Sequence, residues 1–118
     1  MTKILITDDA AFMRHMLKNI LAKEGYEIAG EATNGAEAVS MYESIRPSVV
    51  LLDITMPQMD GIEAVKRIKA IDPDAKIIMI SALGSQNKII EALEAGARDF
   101  IVKPFEPDRI IEAIKRVL

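Results

Sequence analysis

Apolar residues recur along the chain in two rhythms. Five short runs are rich in apolar residues: Lys3 to Thr7, Glu27 to Ala32, Ser48 to Asp53, Lys76 to Ser81 and Asp99 to Lys103. The first, third and fourth are nearly unbroken Ile, Leu, Val and Met, the pattern of strands covered on both faces, as in a parallel sheet. Between the runs the apolar residues step by three and four, as on one face of a helix. Met13, Met16, Leu17, Ile20 and Leu21 mark the first such segment, and Ala38, Val39, Tyr42 and Ile45 the second. Ile62, Val65 and Ile68 mark the third, and Ile89, Ile90, Leu93 and Ala97 the fourth. The fifth carries Ile110, Ile111, Ile114, Val117 and Leu118. Pro107 suits the first turn of the last helix. Gly25 and Gly96 stand where the first and fourth helices should stop. Asn34-Gly35 and Asp60-Gly61 read as turn signals.

Strands alternating with helices predict an α/β fold of (βα)₅ type, a parallel sheet with helices on both faces. Such sheets bind ligands beyond the carboxyl ends of their strands, so the residues that end each run matter most. The first run ends in Asp8-Asp9, the third in Asp53, the fourth in Ser81-Ala82 and the fifth in Lys103-Pro104. In a parallel sheet these three carboxylates, one hydroxyl and one ammonium share one edge. Crowded carboxylates repel, and at least one should hold its proton more tightly than usual. One lysine offsets part of that charge. A hard divalent cation offsets more, and carboxylate oxygens suit Mg²⁺. A carboxylate beside such a cation can attack phosphorus, with ammonium and hydroxyl groups to meet the transferred oxygens. Taken singly, each residue has a plainer role: the Asp pair as a helix N-cap, Ser81 as a loop serine, Lys103 as a solvated lysine.

Composition narrows the alternatives. A chain of 118 residues fits one domain, 1–118, and 50% hydrophobic residues provide for a core. There is no cysteine, which fits a reducing compartment. The net charge of −3 and 4% aromatic content argue against a nucleic-acid binder. The first apolar run is too short for a signal peptide or a membrane span, so a cytoplasmic protein without membrane or nucleic-acid partners is expected. The final Val117-Leu118 tail favours a free-standing chain. His15, the only histidine, and the charges around Lys66, Arg67 and Lys69 read as surface residues. The methionines, Met13 and Met41 among them, read as packing, while Met56-Pro57 and Met59 flank a loop.

The Asp8-Asp9 pair, the stretch DITMPQMDG from Asp53, SALG from Ser81 and KPF from Lys103 resemble bacterial response-regulator receiver domains, over Lys3 to Leu118. DDAAFMR and ARDFIVKPF look most like chemotaxis CheY-type regulators. The resemblance implies a flavodoxin-like sheet of strand order 2-1-3-4-5. It implies Asp53 as phosphoacceptor, with Mg²⁺, or Mn²⁺ in its place, held by Asp9, Asp53, the Thr55 backbone carbonyl and Asp8. Lys103 would contact the phosphoryl group, Ser81 would move to hydrogen-bond it, and the Ala82 N–H would assist. The bond before Pro104 would be cis. Ser81 and Phe100 would form the switch, Phe100 standing where chemotaxis regulators often carry Tyr. Thr55 and Leu83 would flank the path of attacking water.

The implied function is a two-component switch, phosphorylated by a histidine kinase and signalling by protein binding, to the flagellar motor switch protein in chemotaxis. A phosphatase is a further implied partner. A sporulation-type phosphorelay intermediate, or the receiver of a larger regulator, is the alternative. An Asp-based phosphatase normally wants an acid/base carboxylate two residues after its nucleophile, where Thr55 stands. A flavodoxin-like FMN module wants a phosphate loop where Asp8-Asp9 would repel the ligand. The chain is therefore expected to act on its own aspartate and not as a turnover enzyme on external substrates.

Overall fold

The computed structural model describes residues 2–56, 59–82, 84 and 86–118. Strands β1 (Lys3–Thr7), β2 (Glu27–Ala32), β3 (Val49–Asp53), β4 (Ile77–Ala82) and β5 (Asp99–Lys103) alternate with five helices. These are α1 (Ala11–Lys23), α2 (Gly35–Ile45), α3 (Gly61–Ile71), α4 (Gln86–Ala95) and α5 (Pro107–Val117). All strand pairs are parallel, in the order β2-β1-β3-β4-β5, so the strand order implied by the resemblance is the one found.

Alternation along each central strand builds two cores. Leu5, Val50, Leu52, Ile77 and Met79 point to one face, where α2, α3 and α4 cover them with residues such as Tyr42, Val65, Ile68 and Ala92. Ile4, Ile6, Val49, Leu51, Ile78 and Ile80 point to the other, beneath Leu17 and Leu21 of α1 and Ile110 and Ile114 of α5. A strand buried on both faces must be apolar at every position, which is why these runs show no polar alternation.

Gly25 and Gly96 follow α1 and α4 at φ of +81° and +123°, the left-handed conformation that glycine adopts without strain. Pro107 opens α5. Asn34-Gly35 and Asp60-Gly61, read as turns, instead begin helices. Asn34 Oδ1 accepts from the Glu37 N–H at 2.8 Å, and Asp60 Oδ1 from the Glu63 N–H at 2.9 Å. Each pair is an N-cap followed by its first helical residue. Gly61 also donates from its N–H to the Ile54 carbonyl at 2.8 Å. A Cβ on Gly61 would lie 2.4 Å from the Asp53 carbonyl oxygen.

On the outer side of β5, the Phe100 N–H donates to Asp99 Oδ1 at 2.8 Å. The Phe100 carbonyl accepts from Arg109 Nη2 of α5, also at 2.8 Å. Arg109 pairs in turn with Asp99 at 3.7 Å.

Candidate functional site

Parallel register carries the strand ends to one edge of the sheet. Asp53 lies opposite Ile80, Ser81 opposite Val102 and Ala82 opposite Lys103. Asp8 and Asp9 follow β1 directly and remain outside α1, whose N-cap is Ala10 with no side-chain cap. The plain reading of the Asp pair as a helix cap therefore fails. Asp8 Oδ1 accepts from the Ala10 N–H at 2.9 Å, a local turn, and Asp8 Oδ2 faces the cluster.

One carboxylate oxygen from each of Asp8, Asp9 and Asp53 lies within 4.8 Å of the others. Asp8 and Asp53 are buried and Asp9 is exposed. Lys103 Nζ stands 3.5 Å from Asp8 Oδ2 and 3.5 Å from Asp53 Oδ2. With all three acids ionised, this single ammonium leaves the cluster two negative charges in excess, the charge a divalent cation supplies. Oxygen donors of this type and number suit Mg²⁺. The Asp53 carboxyl is pushed up to about 6 by its burial and then by the Asp8 charge, against the pull of Lys103. Its contact with the Thr55 N–H, at 3.4 Å, is long. Asp53 is thus a poorly solvated and weakly partnered carboxylate.

Ser81 is buried, and its Oγ has no hydrogen-bond partner among the described residues. A hydroxyl in that state carries an unmet desolvation cost that a new acceptor would relieve. Ala82 and Thr55 are exposed at the rim. The Lys103–Pro104 peptide bond is cis. Leu83 and Pro57 lie outside the described residues. His15 is exposed on α1 and takes no part in the cluster.

Phe100 is half-buried, with its ring against the α2–α3–α4 core. Beside it opens an apolar cavity of about 340 Å³, lined by Ala82, Ile89, Ile90, Leu93 and Val102 among others. Helical spacing alone placed Ile89, Ile90 and Leu93 on one packing face. Ile89 is buried, but Ile90 and Leu93 remain 55% and 38% exposed over this cavity. Phe12, at the start of α1, is 77% exposed and lay outside the periodic pattern.

The sequence profile of the response regulator receiver domain matches residues 4–115. The chemotaxis protein CheY of Thermotoga maritima is 61% identical over 115 residues, covering 98% of this chain and 96% of that protein. CheY of Bacillus subtilis is 59% identical over 116 residues, covering 98% and 97%. Among solved structures, the CheX-CheY-BeF3-Mg+2 complex from Borrelia burgdorferi contains a chain that superposes with a TM-score of 0.94 at 39% identity. That alignment covers 98% of this chain and 88% of that one. An acidic edge on a parallel sheet of this strand order could serve several chemistries, but agreement of this extent leaves one family: the chain belongs to the response regulator receiver domains.

Proposed function

We propose that this chain is a phosphorylation-dependent signalling switch of chemotaxis, taking a phosphoryl group from a histidine kinase onto Asp53. The observation that carries the reading is the setting of Asp53. It is a buried carboxylate at the end of the central strand, in a cluster with Asp8 and Asp9, and its cationic partner is Lys103. The similarity to CheY proteins supports the chemotactic context.

In the proposed step an Asp53 carboxylate oxygen forms a bond to phosphorus. The bond from phosphorus to the donor imidazole nitrogen breaks, and that nitrogen keeps the electron pair and takes up a proton. Near neutral pH Asp53 is mostly ionised although its carboxyl sits at about 6, so no separate base is needed. Asp9, Asp53 and the Thr55 carbonyl, with Asp8 directly or through water, would hold Mg²⁺, with Mn²⁺ as a substitute. When bound, the ion supplies positive charge to the phosphoryl oxygens. BeF3 and Mg²⁺ accompany the Borrelia CheY in its complex, which supports this assignment. Lys103 offsets the charge of the incoming group, which brings up to about two negative charges. Ser81 gains the acceptor its hydroxyl lacks among the described residues, and the Ala82 N–H assists.

The switch follows from that last contact. As Ser81 moves toward the phosphoryl group, Phe100 turns into the space vacated and reshapes the surface of α4, β5 and α5 around the apolar cavity. The modification shifts the balance between the two states only by the difference in its contacts with each. Output is then binding to the flagellar motor switch protein, with a phosphatase acting on the phosphorylated form. Thr55 borders the path of hydrolytic water. No helix among the described residues is long and apolar enough to cross a membrane, which fits the proposed cytoplasmic location. The chain catalyses its own modification and its reversal, and turns over no external substrate.

Incubation with acetyl phosphate and Mg²⁺, read by intact mass, tests the acceptor. Wild type gains one phosphoryl group and Asp53→Asn gains none. An equal gain in the variant overturns the assignment. Capture of the phosphorylated protein by a motor-switch peptide supports the chemotactic output. Capture by a phosphotransfer domain instead would favour a relay.

A further inference from the structure

Asp9 is exposed, and among the described residues its carboxylate makes no hydrogen bond or ion pair. The planar peptide bond from Asp8 fixes where the Asp9 Cα stands, and so where its side chain starts. That peptide is held from a residue outside the acidic cluster. Arg14, in the first turns of α1, donates from Nη1 to the Asp8 carbonyl oxygen at 2.7 Å. The same guanidinium donates from Nε to Glu31 Oε1 of β2 at 3.3 Å, and Lys18 Nζ holds Glu31 Oε2 at 3.0 Å. The Asp8 N–H is meanwhile taken by the Ala32 carbonyl at 3.1 Å. The end of β2 thus grips Asp8 twice, directly at its N–H and through Arg14 at its carbonyl.

We infer that Arg14 is a positioning residue for cation capture: by fixing the carbonyl between Asp8 and Asp9, it pre-orients the exposed Asp9 carboxylate toward Asp8 and Asp53. The inference rests on the proposed Mg²⁺ site and deepens it. Arg14 is only 16% exposed in its side chain and is anchored at both ends of its fork, as a rigid bidentate strut requires.

The sign of the effect separates this role from two others. As a positive charge alone, Arg14 would repel the cation, so its removal would tighten binding. As a purely structural residue it would alter melting and leave the affinity of the folded protein unchanged. As a strut, its removal weakens binding. Partners beyond the ligand shell typically change metal affinity by about 10- to 100-fold. The lower end applies here, because Arg14 holds main chain and not a ligand side chain.

Isothermal titration with Mg²⁺ alone, on the whole chain previously cleared with EDTA, tests this. Arg14→Gln should raise the dissociation constant about tenfold. Arg14→Lys, able to reach one anchor but not both, should restore part of the loss. Glu31→Ala, which removes the acceptor at the far end of the strut, should weaken binding in the same direction. Melting in EDTA and far-UV circular dichroism report the fold separately. Unchanged or tighter binding by folded Arg14→Gln overturns the inference. If that variant does not fold, unchanged binding by Glu31→Ala overturns it. Loss of Mg²⁺ binding in wild type would remove the site itself, whereas wild-type binding with unaltered variants removes only the role of Arg14.

Discussion

Replacing Asp53 by Asn should stabilise the protein in the absence of metal. An ordinary aspartate titrates near 3.8, and the native environment holds Asp53 at about 6. Between these values the folded chain binds more protons than the unfolded one, so stability falls as pH rises through that window and stays reduced above it. A difference of about two pH units corresponds to about 3 kcal/mol, an upper bound for the cost of keeping this carboxylate ionised. Asn keeps the shape and removes the charge. It also deprives Lys103 of one partner, although Asp8 remains 3.5 Å from the ammonium. A gain of about 2 kcal/mol is therefore expected near neutral pH, about 8 °C in Tm for a chain of this size. Urea denaturation in EDTA measures it. The gap should close near pH 4, where Asp53 carries its proton in wild type too. Mg²⁺ at ten times its dissociation constant should return about 1.4 kcal/mol to wild type and less to the variant. An Asp53→Asn protein no more stable than wild type in EDTA, or one with an equal advantage at low pH, would refute the reasoning.

Two further substitutions probe the surroundings of the site. Thr7 is buried at the end of β1 with a hydroxyl that lacks a partner among the described residues. Thr7→Val should therefore raise the urea midpoint, by about 1 kcal/mol of stability, and a lower midpoint would mean the hydroxyl is bonded in solution. Gly61→Ala should destabilise by more than about 2 kcal/mol despite the better helix propensity of Ala. Its Cβ would fall 2.4 Å from the Asp53 carbonyl oxygen and 2.8 Å from Ile54 Cα, both main chain that cannot swing aside. An unchanged melting temperature would disprove that close approach.

All five runs are strands; β1, β3 and β4 were legible because a strand covered on both faces leaves an unbroken apolar run, while β2 and β5, at the edges, carry mixed runs. Their limits moved slightly: β3 begins at Val49 and β4 runs from Ile77 to Ala82. The two Asx-Gly pairs misled because the same residues that favour turns also accept from a helix N-terminus. Glu37 and Glu63, three residues after Asn34 and Asp60, carried the capping signal that would have distinguished the two. At the site, strand polarity alone brought Asp8, Asp9, Asp53 and Lys103 together and ended Ser81 at the same edge, since parallel strands deliver all their ends to one edge. Arg14 was not legible. Its partners are a main-chain carbonyl and a glutamate on another strand, and helical spacing records neither. The exposure of Ile90 and Leu93 was hidden for a related reason: periodicity reports an apolar stripe but not whether the sheet is wide enough to cover it.

The arrangement around Phe100 bears on how the outer flank of the sheet can be recognised. An edge strand with free peptide groups invites another strand to pair with it. At Phe100 both groups are already engaged, by Asp99 on one side and Arg109 on the other. A visiting chain cannot extend the sheet there by backbone pairing and must be read by its side chains, with a helix laid in the neighbouring groove as the natural form of contact. The same engagement leaves the ring free to change rotamer without giving up a single main-chain bond.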